Sequence, residues 1–222
     1  MLIDMHTHSY PKSDDGFMGV DDLIEESKSK GLDGVCLTDH DVFWSDEEVS
    51  TLTRRHNFLV LPGCEINTDT GHVIVFGLDR YIFGLHKPDF LRGMVTQGGG
   101  VLIAAHPYRR RFLEEPAQKP SARAEMLDRA CNDGFFAICA AIEGINGRAN
   151  DLQTDFSLDL GNRLEMKMTG GSDAHRVDQL GTAATRFQRE ITGLDDLIQE
   201  LKGGRFQAVD LRNGHEAGAK TH

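Results

Sequence analysis

The stretch Leu2-Ile3-Asp4-Met5-His6-Thr7-His8 decides how the rest of the chain is read. Residues 2–5 read as a short strand, and Asp4, His6 and His8 alternate at its end. The two-residue period of a strand sends His6 and His8 to the same side. Two imidazoles on one face beside a carboxylate need partners, and later segments offer them at matching places. Asp39 and His40 directly follow the next apolar run, 33–38. Glu65 lies near the end of the third, and His72 opens the one after it. His106 follows 101–105, Glu143 follows 138–142, and Asp173 and His175 follow 165–169.

Around these residues short apolar runs alternate with amphipathic stretches. Strands are predicted at 2–5, 33–38, 58–66, 72–78, 101–105, 138–142, 165–169 and 182–187. Helices are predicted at 20–30, 45–55, 87–97, 123–132, 149–162 and 194–202. Ser45 with Glu48 reads as a capping box at the second helix. The strand-then-helix rhythm predicts an α/β protein with a mostly parallel sheet, closed or nearly closed. No linker or composition shift divides it, so residues 1–212 are expected to form one domain. The polar, glycine-bearing residues 213–222 are expected to be a flexible tail.

In parallel α/β proteins the carboxyl ends of the strands share a face, where sites assemble. Seven places along the chain therefore deliver a metal-type ligand to one rim. Imidazole mixed with carboxylate suits Zn²⁺, Mn²⁺ or Fe. A shared carboxylate can hold two such ions about 3.5–4 Å apart, a pair that generates hydroxide near neutral pH and clamps phosphoryl oxygens.

Composition narrows the class. The 222 residues carry 24 Lys and Arg against 35 Asp and Glu, a formal net charge of -11. So acidic a surface repels polyphosphate backbones at long range, which argues against a long nucleic acid as partner. A small phosphorylated substrate stays compatible, because bound cations invert the local field. The 4 cysteines form no CxxC pair and read as buried thiols of a reducing compartment. The chain starts with no basic segment followed by an apolar run, and no run approaches the ~18 apolar residues of a membrane span. A cytoplasmic protein is the expectation.

The motifs Asp4-Met5-His6-Thr7-His8, Thr38-Asp39-His40, Gly63-Cys64-Glu65, Ala105-His106-Pro107 and Gly171-Ser172-Asp173-Ala174-His175 closely resemble the PHP (polymerase and histidinol phosphatase) family. The match is ordered and spans residues 1–187 or more. The resemblance implies a distorted (β/α)7 barrel, an enzyme hydrolysing phosphate esters, and three divalent metal ions as cofactors. Carried over motif by motif, it assigns a first metal to His6, His8, Glu65 and Asp173. Glu65 bridges to a second, completed by His72 and His106, and a third takes Asp15, His40 and His175. A metal-bridging hydroxide held by Glu65 then attacks phosphorus. Asp14 rivals Asp15 in the loop Ser13-Asp14-Asp15-Gly16, because some relatives use His at that place.

Several residues stay open on sequence alone. Asp4 and Glu143 read as carboxylates that orient a His ring more readily than as ligands. Arg109-Arg110-Arg111 puts a guanidinium near His106, and Arg148 and Asn146 follow Glu143, so Arg109, Arg148 and Asn146 are candidate phosphate contacts or plain surface groups. His56, His86, His215 and His222 lie off the rim. The expected substrate is a small phosphomonoester or nucleotide, with 5′-to-3′ cleavage of short oligonucleotides as the alternative. A non-catalytic metal-binding module is a further alternative, and all nine ligand positions holding competent side chains speaks against it. An amidohydrolase would want a bridging lysine at a strand end, and Lys167 falls inside its strand.

Overall fold

A computed structural model describes residues 1–117 and 119–212; the predicted tail, 213–222, lies outside the described residues. Within them the strands are β1 (Leu2–Thr7), β2 (Gly34–Leu37), β3 (Leu59–Pro62), β4 (Cys64–Asn67), β5 (His72–Phe76), β6 (Val101–Ala104), β7 (Ala141–Asn146), β8 (Lys167–Gly171), β9 (Ala183–Phe187) and β10 (Phe206–Asp210). The helices are α1 (Val20–Ser29), α2 (Asp46–His56), α3 (Pro88–Gln97), α4 (Glu114–Ala117), α5 (Pro120–Cys131), α6 (Asp151–Arg163) and α7 (Leu194–Gly203). None is long and apolar enough to cross a membrane.

Helix starts follow local chemistry. The Ser45 side chain accepts from the Glu48 backbone N–H while Glu48 reaches back to Ser45, completing the capping box at α2. Asn150 and Gln153 do the same at α6. Pro88 and Pro120 occupy first-turn positions of α3 and α5, where a missing N–H costs nothing.

The expected mostly parallel (β/α)7 barrel is not what forms. Two five-stranded mixed sheets run in the orders β10-β9-β1-β2-β3 and β4-β5-β6-β7-β8. Only β1/β2, β2/β3, β6/β7 and β7/β8 pair in parallel; β1/β9, β9/β10, β4/β5 and β5/β6 are antiparallel. Single bridges, Thr7 to Ala174 and His40 to Glu65, replace a continuous ladder between the sheets, so no closed barrel results.

Three sequence features cause the departure. The run 58–66 breaks at Gly63, where an added Cβ would lie 2.7 Å from the Phe76 ring, and so gives β3 and β4 instead of one strand. The turn after β4 is too short for a helical crossover, which makes β5 antiparallel to β4, and β5 pairs antiparallel with β6 as well, across a connection that contains α3. Beyond α7, the segment 206–210, read as no element, adds β10 against β9. The predicted strand 138–142 is also displaced: Phe136–Ile138 is a 3₁₀ turn, and Glu143 sits inside β7 rather than after it.

Strands β1 and β2 are buried on both sides, and apolar clusters pack above and below them. One cluster holds Ile3, Met5, Leu61 and Phe76; a second holds Leu23, Ile24, Val35 and Leu37. This fixes the end of β1 with little freedom, and His6 and His8 stand there.

His56, read from sequence as a surface residue, staples α2 to α1. Its Nδ1 lies 2.5 Å from Glu25 and its Nε2 2.7 Å from Asp21. Contact with Glu25, opposed by desolvation and aided by Asp21, raises its pKa above the ordinary value. A raised folded-state pKa stabilises fully below the unfolded value of about 6.5, and the gain disappears as pH rises through the folded one. His56→Gln is therefore expected to lower the melting temperature at pH 5.5 and to match the wild type at pH 9. The loss should stay within about 1 kcal/mol, because both carboxylates are more than half exposed and screened. Equal melting curves at pH 5.5 would refute the staple.

Candidate metal centre

The centre is built on Glu65, fully buried in β4. Its Oε1 faces His106 Nε2 at 2.7 Å and His72 Nδ1 at 2.9 Å. Its Oε2 faces His6 Nε2 at 3.1 Å, His8 Nε2 at 3.2 Å and His40 Nδ1 at 3.3 Å. Five ring nitrogens thus crowd one carboxylate, which offers only about four acceptor sites.

Asp173 closes the cage from the segment after β8. Its Oδ1 lies 3.4 Å from His8 Nε2 and 3.6 Å from His6 Nε2, while its Oδ2 accepts from Arg109 Nη2 at 2.6 Å. The backbone zips this segment to β1: Asp173 N–H donates to His6 O at 2.8 Å, and His8 N–H to Ala174 O at 2.9 Å. On the open side, Asp15 lies 2.9 Å from His175 Nε2 and 3.5 Å from His40 Nε2. Asp15 joins His8, His40 and His175 in one cluster, whereas its rival Asp14, exposed as Asp15 is, joins none.

All nine residues expected from the sequence therefore converge, in overlapping groups whose donor atoms lie within 4.8 Å of one another. The donor set fits divalent cations, and buried unpartnered atoms give the test. His8 Nε2, His40 Nδ1 and Asp173 Oδ1 are buried, have no hydrogen-bond partner and border the same space. Leaving such atoms unpaired costs about 1–3 kcal/mol each unless something binds them.

Charge balance agrees. Burial would neutralise Glu65 and Asp173, but the surrounding His6, His106 and His8 hold both well below the usual carboxylate range. Burial likewise opposes charge on His8, and Asp173 and Glu65 override it, raising His8 to about 9. Burial of His106 and His40 prevails over the same carboxylates and keeps both rings below the ordinary histidine value. The cage therefore pairs ionised carboxylates with positive charge, which His6 and His8 supply as protonated rings.

The supporting layer differs in part from expectation. Glu143 orients a ring as predicted: its Oε1 lies 2.9 Å from His6 Nδ1, and its Oε2 accepts the His106 N–H at 2.6 Å. Asp4 does not touch a His ring. It accepts the backbone N–H groups of His6 and Ser172, and desolvation raises it to about 7. Asp39 receives Ser9 and Trp44 Nε1, which anchors the loop carrying Asp15. Ser13, passed over in the sequence, donates to Asp15 at 2.7 Å and lies 3.4 Å from His8 Nδ1. Its signal was its place in a loop weighed only for carboxylates.

Of the three adjacent arginines, only Arg109 reaches the cage. Arg111 turns away, bonds Asp133 and Thr70 O, and stacks on Phe135 and Phe136, tying down the turn that precedes His72. Arg148 Nη1 lies 3.2 Å from His175 Nδ1 and 3.8 Å from Asp173 Oδ1. Asn146 is buried, and its amide bonds Glu143 and Asp173. His106 and Asp173 both adopt positive φ, +23° and +53°, a conformation costly for non-glycine residues and concentrated at functional sites.

Residues 4–166 match the family model described as PHP domain, and residues 153–206 the one described as PHP-associated. A probable histidinol-phosphatase of Thermotoga maritima is 26% identical over 237 residues, 95% of this chain and 100% of that protein. The crystal structure of PsfC from Pseudomonas syringae superposes with a TM-score of 0.61 at 20% identity, covering 94% of this chain and 91% of the other. A two-domain protein from Bacteroides vulgatus, described as containing a predicted PHP-like metal-dependent phosphoesterase, gives 0.63 at 18% identity, covering 94% and 64%. The structural likenesses establish a shared fold.

A cage poised for cations should be stabilised by them. At a free ion concentration 100 times the dissociation constant, binding adds about 2.7 kcal/mol. For a chain of this size that is about 5–10 °C in melting temperature. Mn²⁺ or Zn²⁺ is expected to raise the melting temperature of chelator-treated protein by that amount, reversibly with EDTA. No shift with either ion would exclude a preformed centre.

Proposed function

This chain belongs to the PHP domain family, and on that footing we propose that it is a metal-dependent phosphoesterase acting on a small phosphomonoester or nucleotide. The observation that carries the reading is the crowding of Glu65 by five imidazoles, with inward-facing donors left unpartnered. His6, His8, Glu65 and Asp173 would hold one cation; Glu65, His72 and His106 a second; Asp15, His40 and His175 a third. When bound, Zn, Mn or Fe ions supply Lewis acidity, which activates water and offsets charge on phosphoryl oxygens.

The chain's own groups complete the chemistry. Arg109 and Arg148 keep 33% and 40% of their side-chain surface exposed beside the cage, so donors beyond the bonds described are open to an anion. A guanidinium presents five donors in a planar fork matched to phosphate. Burial of the cage strengthens these electrostatic interactions by excluding water. The lysine that an amidohydrolase would want at the cage is not supplied by Lys167, which on β8 is exposed and packs beside Gly204.

The test is turnover of phosphorylated metabolites, dinucleotides and short oligonucleotides with Mn²⁺ or Zn²⁺ present. Hydrolysis of a phosphomonoester or nucleotide is expected; failure with every ester and ion would overturn the proposal. His8→Ala is expected to lower kcat by at least about 100-fold with an unchanged circular dichroism spectrum, and wild-type turnover in that variant would remove His8 from the centre. Arg109→Ala should lower kcat/KM by about 10–100-fold, the loss of one or two charge-assisted hydrogen bonds. An unaltered kcat/KM would assign Arg109 to Asp173 alone.

A further inference from the structure

We propose that Asn146 is a positioning residue that sets the polarity of the cage by holding Glu143 and Asp173 with its two amide N–H donors. The inference rests on the metal-centre reading above and goes beyond the ligands to what aims them.

The argument starts in the backbone of β7. Strand alternation alone would send residues three apart, such as Glu143 and Asn146, to opposite faces. The register against β8 shifts between them: Glu143 pairs with Thr169, Ile145 with Gly170 and Asn146 with Gly171. One extra residue on β7 is a bulge, and a bulge re-aims the side chains beyond it. Gly144 lies at the shift, where an added Cβ would stand 2.9 Å from the Met168 side chain. The result is direct contact, with Asn146 Nδ2 donating to Glu143 Oε2 at 3.0 Å.

The remaining contacts exhaust the amide. Nδ2 also donates to Asp173 Oδ2 at 3.2 Å, and Oδ1 accepts from the Arg148 N–H at 3.0 Å and from Tyr108 OH at 3.5 Å. Asn146 is 2% exposed, so it meets ligands only through the two carboxylates. On one side it turns Glu143 so that Oε1 takes His6 Nδ1, which directs the lone pair of His6 Nε2 inward. On the other it occupies Asp173 Oδ2 together with Arg109, leaving Oδ1 as the unpartnered inward oxygen. A neutral amide does this without adding charge, which a lysine or carboxylate at the same place could not.

The test compares Mn²⁺ binding by calorimetry to chelator-treated wild-type, Asn146→Leu and Asn146→Ala chains. Leu keeps the volume, and Ala removes both donors without crowding; neither adds charge. Each is expected to raise the dissociation constant about 10–100-fold, the usual cost of losing a group behind a ligand. Circular dichroism and the metal-free melting temperature verify folding, and either folded variant suffices. With Mn²⁺ raised to saturation, KM for a phosphomonoester should return to within about threefold of wild type, since Asn146 touches no substrate. Unchanged Mn²⁺ affinity, or a KM that stays raised at saturation, would overturn the assignment while leaving the phosphoesterase reading intact. Wild-type protein that binds neither Mn²⁺ nor Zn²⁺ would overturn both.

Discussion

A carboxylate with no exposure to solvent has to be matched by positive charge or by hydrogen bonds, and Glu65 constrains the whole molecule through that requirement. The matching groups arrive from β1, from the loop after β2, from β5 and from the loop after β6. Each must reach within about 3 Å of one of two oxygen atoms, which leaves the ends of those strands little latitude. The apolar clusters hold the strands, and Glu65 dictates where their ends meet.

Much of this centre was legible in the sequence because ligand type and strand position are local properties. His6 and His8 alternate on a strand, Glu65 and Asp173 sit at strand ends, and the motifs are specific in combination. Choosing Asp15 over Asp14 was beyond local pattern, since both lie in one loop and only packing of that loop against His175 separates them. Asn146 was left open for the same reason. Its contact with Glu143 depends on a register shift against β8, and no periodicity within β7 announces a bulge. Arg111 looked equivalent to Arg109 until the rings of Phe135 and Phe136 claimed it.

The architecture was read less well than the site. A strand-helix rhythm cannot distinguish a parallel neighbour from an antiparallel one when a helix connects both kinds. The run 58–66 was read as one strand, yet Phe76 fills the space any side chain at 63 would need, and the chain breaks there. The strand 206–210 was invisible because its partner, β9, lies immediately before the intervening helix and runs the other way.

The donors around Glu65 are divided between the two sheets. His6, His8 and His40 belong with the first, and Glu65, His72, His106 and Asp173 with the second. No continuous ladder runs along their seam, where two isolated bridges, backbone bonds from β1 to the segment after β8 and a shared apolar cluster join them. Two of the three proposed ligand sets draw on both halves, so a cation held by either would act as a rivet through both plates.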